Sequence, residues 1–121
     1  MTDSKDIALD ESKPTINMLV EAIDSWGLAH NITADGGATP EKQLEKLLEE
    51  YQETIIALTE FRCVSTEFHS YVEDGMGDML VCIIQAMRLA GTDMETCLTK
   101  AWHDIKDRKG TMINGKFVKE T

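Results

Sequence analysis

Apolar positions along this chain recur at the three- and four-residue steps of an α-helix. Ile16, Leu19, Val20, Ile23 and Trp26 form the first stripe, and Pro14 suits an opening turn, which predicts a helix over about 14–28. The segment NITADGGATP then reads as a loop, with Thr39 placed to cap the next helix and Pro40 at its first position. Leu44, Leu47, Leu48, Tyr51, Ile55 and Leu58 make the clearest stripe, on a helix ending near Phe61 or Arg62. A third helix is expected from Ser65 or Thr66 to Gly91, a natural C′ residue. Thr92-Asp93-Met94-Glu95 reads as a capping box for a fourth. That helix carries Cys97, Leu98, Ala101, Trp102 and Ile105 and is expected to stop at Gly110, with Arg108 and Lys109 in its last turn. In MINGKFV, Met112 and Ile113 face Phe117 and Val118 across Asn114-Gly115, the usual pair of a type I′ hairpin. The pattern predicts an all-α assembly of four helices with a short C-terminal β-hairpin. A frayed stretch is expected over 1–12, a helical domain over 13–110 and a tail over 111–121.

Composition narrows the function classes. The length of 121 residues suits one domain, and 42% apolar residues allow a modest core. A formal net charge of -10 repels nucleic acid and anionic membranes, which argues against binding to either. Cys63, Cys82 and Cys97 form no CxxC pair, and His30, His69 and His103 form no HExxH. Reduced core thiols in a cytoplasmic protein are the expectation, and a zinc site is not. No secretory leader is expected, and the longest apolar run, Met79 to Ile84, is far too short to span a bilayer.

Candidate chemistry lies in the carboxylates. In LLEEYQE, Glu49, Glu50 and Glu53 oppose the leucine stripe, and Glu50 and Glu53 lie about 60° apart on one surface. Such a run also reads as a solvated face. The third helix adds weight to the first reading. In VEDGMGDMLV, Asp74 and Asp78 are one turn and about 40° apart, and the residues after them are apolar on every side. A helix apolar all round is buried on more than one face, so both aspartates are expected at the mouth of a packed interior. Carboxylates crowded there repel one another unless a cation sits between them. Oxygen donors without His or Cys favour Mg²⁺, with Mn²⁺ as a substitute, and such a site suits a polyphosphate. Lys106, Arg108, Lys109 and Lys116 are candidates to meet phosphate oxygens, besides their ordinary use as surface charge. Gly75 and Gly77 each cost roughly 1 kcal/mol in a helix relative to Ala. Both are expected to let a neighbouring helix or a substrate approach the backbone closely; the plainer alternative is that one matters, for packing, and the other is tolerated.

EEYQE, the aspartate helix and the tail AWHDIKDRKGTMINGKFVKE together resemble the MazG-like, all-α nucleoside triphosphate pyrophosphohydrolases, in the short stand-alone form common in bacteria and phages. The resemblance covers roughly residues 14 to 120. That family's hallmark is EExxE on one helix and ExxD on the next. Here EExxE is complete at Glu49 to Glu53, but the Glu of ExxD counted back from Asp78 is Gly75, and Asp74 is the nearest acid. The resemblance implies a four-helix bundle assembled as a homodimer or homotetramer, with sites partly at subunit interfaces. It implies Mg²⁺-dependent hydrolysis of a nucleoside triphosphate to the monophosphate and pyrophosphate, in the cytoplasm of a bacterial or phage-infected cell. Carried over by position, Glu50, Glu53 and Asp78 would be metal ligands, with Asp74 as the substitute fourth. Glu49 would be a further ligand or would orient the attacking water. Lys46, Lys106, Arg108 and Lys109 would meet phosphate, and Trp26 and Asn114 the base or ribose. Two rival expectations stand beside this one. One is a non-catalytic helical oligomer that binds nucleotide or a protein partner. The other is a specialised enzyme of dUTPase, dCTPase or alarmone-hydrolase type.

Overall fold

The computed structural model describes residues 12–34, 36–62 and 65–120. The frayed stretch expected over 1–12 lies, apart from Ser12, outside the described residues, as does Cys63. Helices α1 (Ile16–Ala29), α2 (Pro40–Phe61), α3 (Ser65–Leu89) and α4 (Met94–Ile105) are followed by strands β1 (Gly110–Ile113) and β2 (Lys116–Lys119). Among the described residues, no helix is long and apolar enough to cross a membrane.

Local chemistry explains the boundaries. Thr15 accepts a hydrogen bond from the Met18 amide at 3.2 Å, so α1 starts one residue after that cap and Pro14 lies outside the helix. Thr39 caps α2 in the same way, with Pro40 at the first position as expected. Gly91, at φ +80°, ends α3: its amide donates to Arg88 O and the Thr92 amide to Met87 O, the paired bonds of a Schellman turn. That use of Thr92 moves the start of α4. Asp93, not Thr92, is the N-cap, its carboxylate accepting from the Thr96 amide at 2.8 Å. The α4 helix also stops sooner than expected, at Ile105. Arg108 and Lys109 therefore sit in the connection to β1, because Gly110 is already paired with Lys119 in the hairpin. Asn114 and Gly115 both take positive φ, as a type I′ turn requires.

The helices α2 and α3 form an antiparallel pair that holds the centre of the molecule, and α1 packs on α3. Phe61 stacks on Tyr71 at 4.1 Å near the end where the chain passes from α2 to α3. Further along, α3 comes so close to α2 that a Cβ on Gly75 would meet Thr54 Oγ1 and lie 2.7 Å from Thr54 Cγ2. Thr54 is buried, its hydroxyl donating back to Glu50 O at 2.6 Å. Gly77 meets nothing within 4 Å, so of the two glycines only Gly75 serves a close approach.

Among the described residues, the buried apolar core consists of Cys82, Ile84 and Ala86 on α3. Of the apolar run Met79 to Ile84, Cys82 and Ile84 are buried, whereas Leu80 is 48% exposed, so the run is not enclosed on every side. Much of the rest of the apolar surface stays open. Leu44, Leu48, Tyr51, Met76 and Leu80 are each 44 to 54% exposed and border a groove of about 560 Å³ between α2 and α3. Trp102, Met112 and Phe117 leave a second apolar surface on α4 and the hairpin, which pack lightly on the rest.

Two consequences are measurable. Gly75→Ala is expected to lower stability by about 1–2 kcal/mol, as an added methyl overpacks the seam. Gly77→Ala is expected to raise it by up to about 1 kcal/mol through helix propensity. Urea unfolding followed by circular dichroism compares them directly. Burial lifts the Asp24 carboxyl above its ordinary range; Arg88 opposes the shift, and Asp93 and Glu21 reinforce it. A folded state that holds this proton more tightly gains stability below the ordinary carboxylate pKa and loses it as pH rises through the raised value. Asp24→Asn should therefore gain most over the parent in melting temperature near pH 7, with the advantage gone below about pH 4.

Candidate functional site

Four-residue spacing lines up Lys46, Glu50 and Thr54 along α2, and Asp78 and Cys82 along α3. The contact of Thr54 with Gly75 draws these two lines together one turn further on. Glu50 is turned inward, its side chain only 15% exposed, and Lys46 Nζ meets its Oε1 at 3.4 Å. The same ammonium lies 3.8 Å from Glu49 Oε2. Hydrogen bonding to Glu50, with the fields of Glu49, Glu50 and Glu53, pushes the Lys46 ammonium above its ordinary value. It stays fully charged beside a carboxylate that would otherwise be poorly solvated.

Around this pair opens a cleft of about 650 Å³. Lys46, Glu50 and Asp78 supply its ionic side, and Ile23 and Trp26 of α1 supply an apolar wall. Trp26 is 48% exposed, with the His30 ring 4.7 Å away and His30 Nδ1 2.8 Å from the Trp26 carbonyl. Cys82 lines the cleft from α3. Burial raises its thiol pKa, the Glu50 and Asp78 charges add to the rise, and Lys46 opposes it. The shift disfavours the thiolate, the form in which a cysteine acts as a nucleophile.

The sequence-derived candidates divide by position. Trp26, Lys46, Glu50 and Asp78 share the cleft, and Glu49 is tied to it through Lys46. Glu53 and Asp74 are exposed and do not line it. The pattern places both aspartates at the mouth of a packed interior; Asp78 does line the cleft, Asp74 does not, and both residues are exposed. Lys106 is the C-cap of α4, Arg108 and Lys109 follow it, and Asn114 sits at the hairpin turn; none lines the cleft. Cys82, Gln43 and Gln85 also line the cleft and are not among the sequence-derived candidates. A signal for two of them was present, since Cys82 and Gln85 follow Asp78 at four and seven residues on one helix face.

Glu50 and Asp78 are the two carboxylates that share the cleft, and Mg²⁺ commonly takes one or two carboxylates with waters and ligand phosphates. Among the described residues, no group of three or more His, Cys, Asp or Glu is arranged to hold a metal ion. The place where the MazG-like pattern has its fourth carboxylate is closed, because Thr54 fills the space beside Gly75. Glu50 and Asp78 are thus the carboxylates that the cleft offers to a cation, and ligand oxygens and waters would have to complete its shell. Scans against protein-family models, curated proteins and solved structures each find no match.

The buried thiol makes its own prediction. In the native protein at pH 8, Cys82 should react with iodoacetamide at least about tenfold more slowly than in the urea-unfolded chain. Peptide mapping of the alkylated sites gives the rate for that cysteine.

Proposed function

We propose that this protein is a Mg²⁺-dependent nucleoside triphosphate pyrophosphohydrolase that works in the cytoplasm as a homodimer or homotetramer. The observation that carries this reading is the two-sided cleft, in which Lys46, Glu50 and Asp78 face the apolar wall of Ile23 and Trp26. A ligand that fits it has a flat apolar part at one end and a highly charged part at the other, as a nucleoside triphosphate does. Trp26 offers a face for stacking, and Lys46 offers a cation to a phosphate oxygen. A bound Mg²⁺ supplies charge neutralisation of the phosphate oxygens, and Glu50 and Asp78 are the residues to hold it. Glu53 and Asp74 complete that set if they turn inward on binding. Glu49, exposed beside Lys46, is placed to orient or deprotonate the attacking water. Positioning and charge stabilisation then do most of the catalysis, as they do in phosphoryl chemistry generally.

The open apolar groove between α2 and α3 supports self-assembly, since a surface of this kind is covered in a stable oligomer. Lys106, Arg108, Lys109 and Asn114 lie outside the cleft of their own chain, and in such an assembly they serve the cleft of a neighbouring copy. A second reading has one specific observation in its favour. The closed space at Gly75 removes one carboxylate position, which suits a helical oligomer that binds nucleotide without hydrolysing it. A dUTPase-, dCTPase- or alarmone-directed enzyme is a narrower form of the first reading.

A panel of NTPs and dNTPs with Mg²⁺ or Mn²⁺ tests the proposal through pyrophosphate release. Release from at least one substrate is expected, and none from any would sink the enzymatic reading. Glu50→Gln and Asp78→Asn should each lower kcat/KM at least about 100-fold, the scale for losing a charged group at a reacting centre. If both variants keep parental activity, the site lies elsewhere. Titration with Mg²⁺ should raise the melting temperature of the parent and not of the double variant.

A further inference from the structure

Gln85 is the largest fully buried side chain among the described residues, with 0% exposure, and it is polar. Its Nε2 donates to the carbonyl of Ile23 on α1 at 3.0 Å. Its Oε1 accepts from no protein donor among the described residues. The amide lies close beside Gly27, the one buried residue of α1. A Cβ at position 27 would meet Gln85 Oε1 and lie 2.6 Å from both Cδ and Nε2. A carboxamide left with an orphan carbonyl is a poor device for stability alone, and buried polar groups of this kind call for another explanation.

The explanation lies in what the two contacts bracket. Ile23 and Gly27 are one turn apart on α1, and Trp26 stands between them on the wall of the cleft. On α3, Gln85 follows Asp78 by seven residues, about 10 Å along the helix axis. We infer that Gln85 and Gly27 are positioning residues: together they set the distance between the aromatic wall on α1 and the ionic side of the cleft at Asp78. This rests on the nucleotide reading proposed above and deepens it, because the spacing would decide how a nucleobase meets Trp26 when the phosphates meet Lys46 and Asp78. The hydrogen bond fixes α1 along its axis, and the missing side chain at Gly27 fixes how closely it can approach. Ile23 O keeps its helical partner if Gln85 is replaced, so the lock can be removed without orphaning the backbone.

The test uses the full chain and two variants. Gln85→Met keeps length and volume and removes both the donor and the orphan carbonyl, so folding should be preserved. Gly27→Ala pushes α1 outward by steric contact. In both, KM for the preferred nucleoside triphosphate should rise about tenfold while kcat stays within about twofold, the signature of lost substrate binding without lost chemistry. Inorganic triphosphate, which has no base, should inhibit parent and variants with constants within about twofold of one another. Combining Gly27→Ala with Gln85→Ala, which vacates the contested space, should recover part of the KM loss of Gly27→Ala. A parental KM in both single variants would overturn the inference and leave the enzymatic reading standing. So would an equal weakening of inorganic triphosphate, which would mark a general structural defect. A parent that releases pyrophosphate from nothing overturns the enzymatic reading and this role with it.

Discussion

Thr54 occupies the volume that a side chain at position 75 would need, and α2 and α3 can pack at that separation only because residue 75 is glycine. The consequences run along the seam. One turn back on α2, Glu50 is drawn inward; three residues on along α3, Asp78 arrives at the same cleft. Thr54 returns its hydroxyl hydrogen to the Glu50 carbonyl, so a polar side chain is buried without an unsatisfied donor. A larger residue at 75 would widen the seam and move the acidic lines apart.

Charge then decides how the seam is tolerated. A chain with net charge -10 turns Glu50 toward its interior, and that costs free energy unless a cation answers it. Lys46, one turn before Glu50, supplies the answer from the same helix, so the pairing needs no tertiary precision to form. The same ammonium is then available to an anionic ligand in the cleft. Most other cations lie far along the chain, from Lys100 through Lys106, Arg108 and Lys109 to Lys116 and Lys119. The chain thus separates an acidic body from a basic C-terminal end.

A protein whose buried apolar core is confined to a few side chains of α3 leaves much of its hydrophobic content facing outward. The leucine stripe of α2 is the clearest example. Its period marks one face of a helix, but Leu44, Leu48 and Tyr51 form the wall of an open groove and not the inside of a closed core. The hydrophobic effect acts on area removed from water, and periodicity does not say which molecule removes it.

The sequence by itself determined the element order, most caps and the hairpin turn, because these depend on neighbours within a few residues. Thr39, Pro40, Gly91 and Asn114-Gly115 were each legible for that reason. It also determined which acids share a helix face, since helical geometry is periodic. Even locally, competition between adjacent motifs escaped it: the Schellman turn at Thr92 passed the cap of α4 to Asp93. Only the tertiary structure decided that Glu50 turns inward while Glu53 does not, that Gly75 matters to packing while Gly77 does not, and that the buried Gln85 amide on α3 bonds to Ile23 on α1. Each of these depends on the separation and rotation of two helices. That geometry is set by the summed fit of side chains distant in sequence, and no local pattern encodes it.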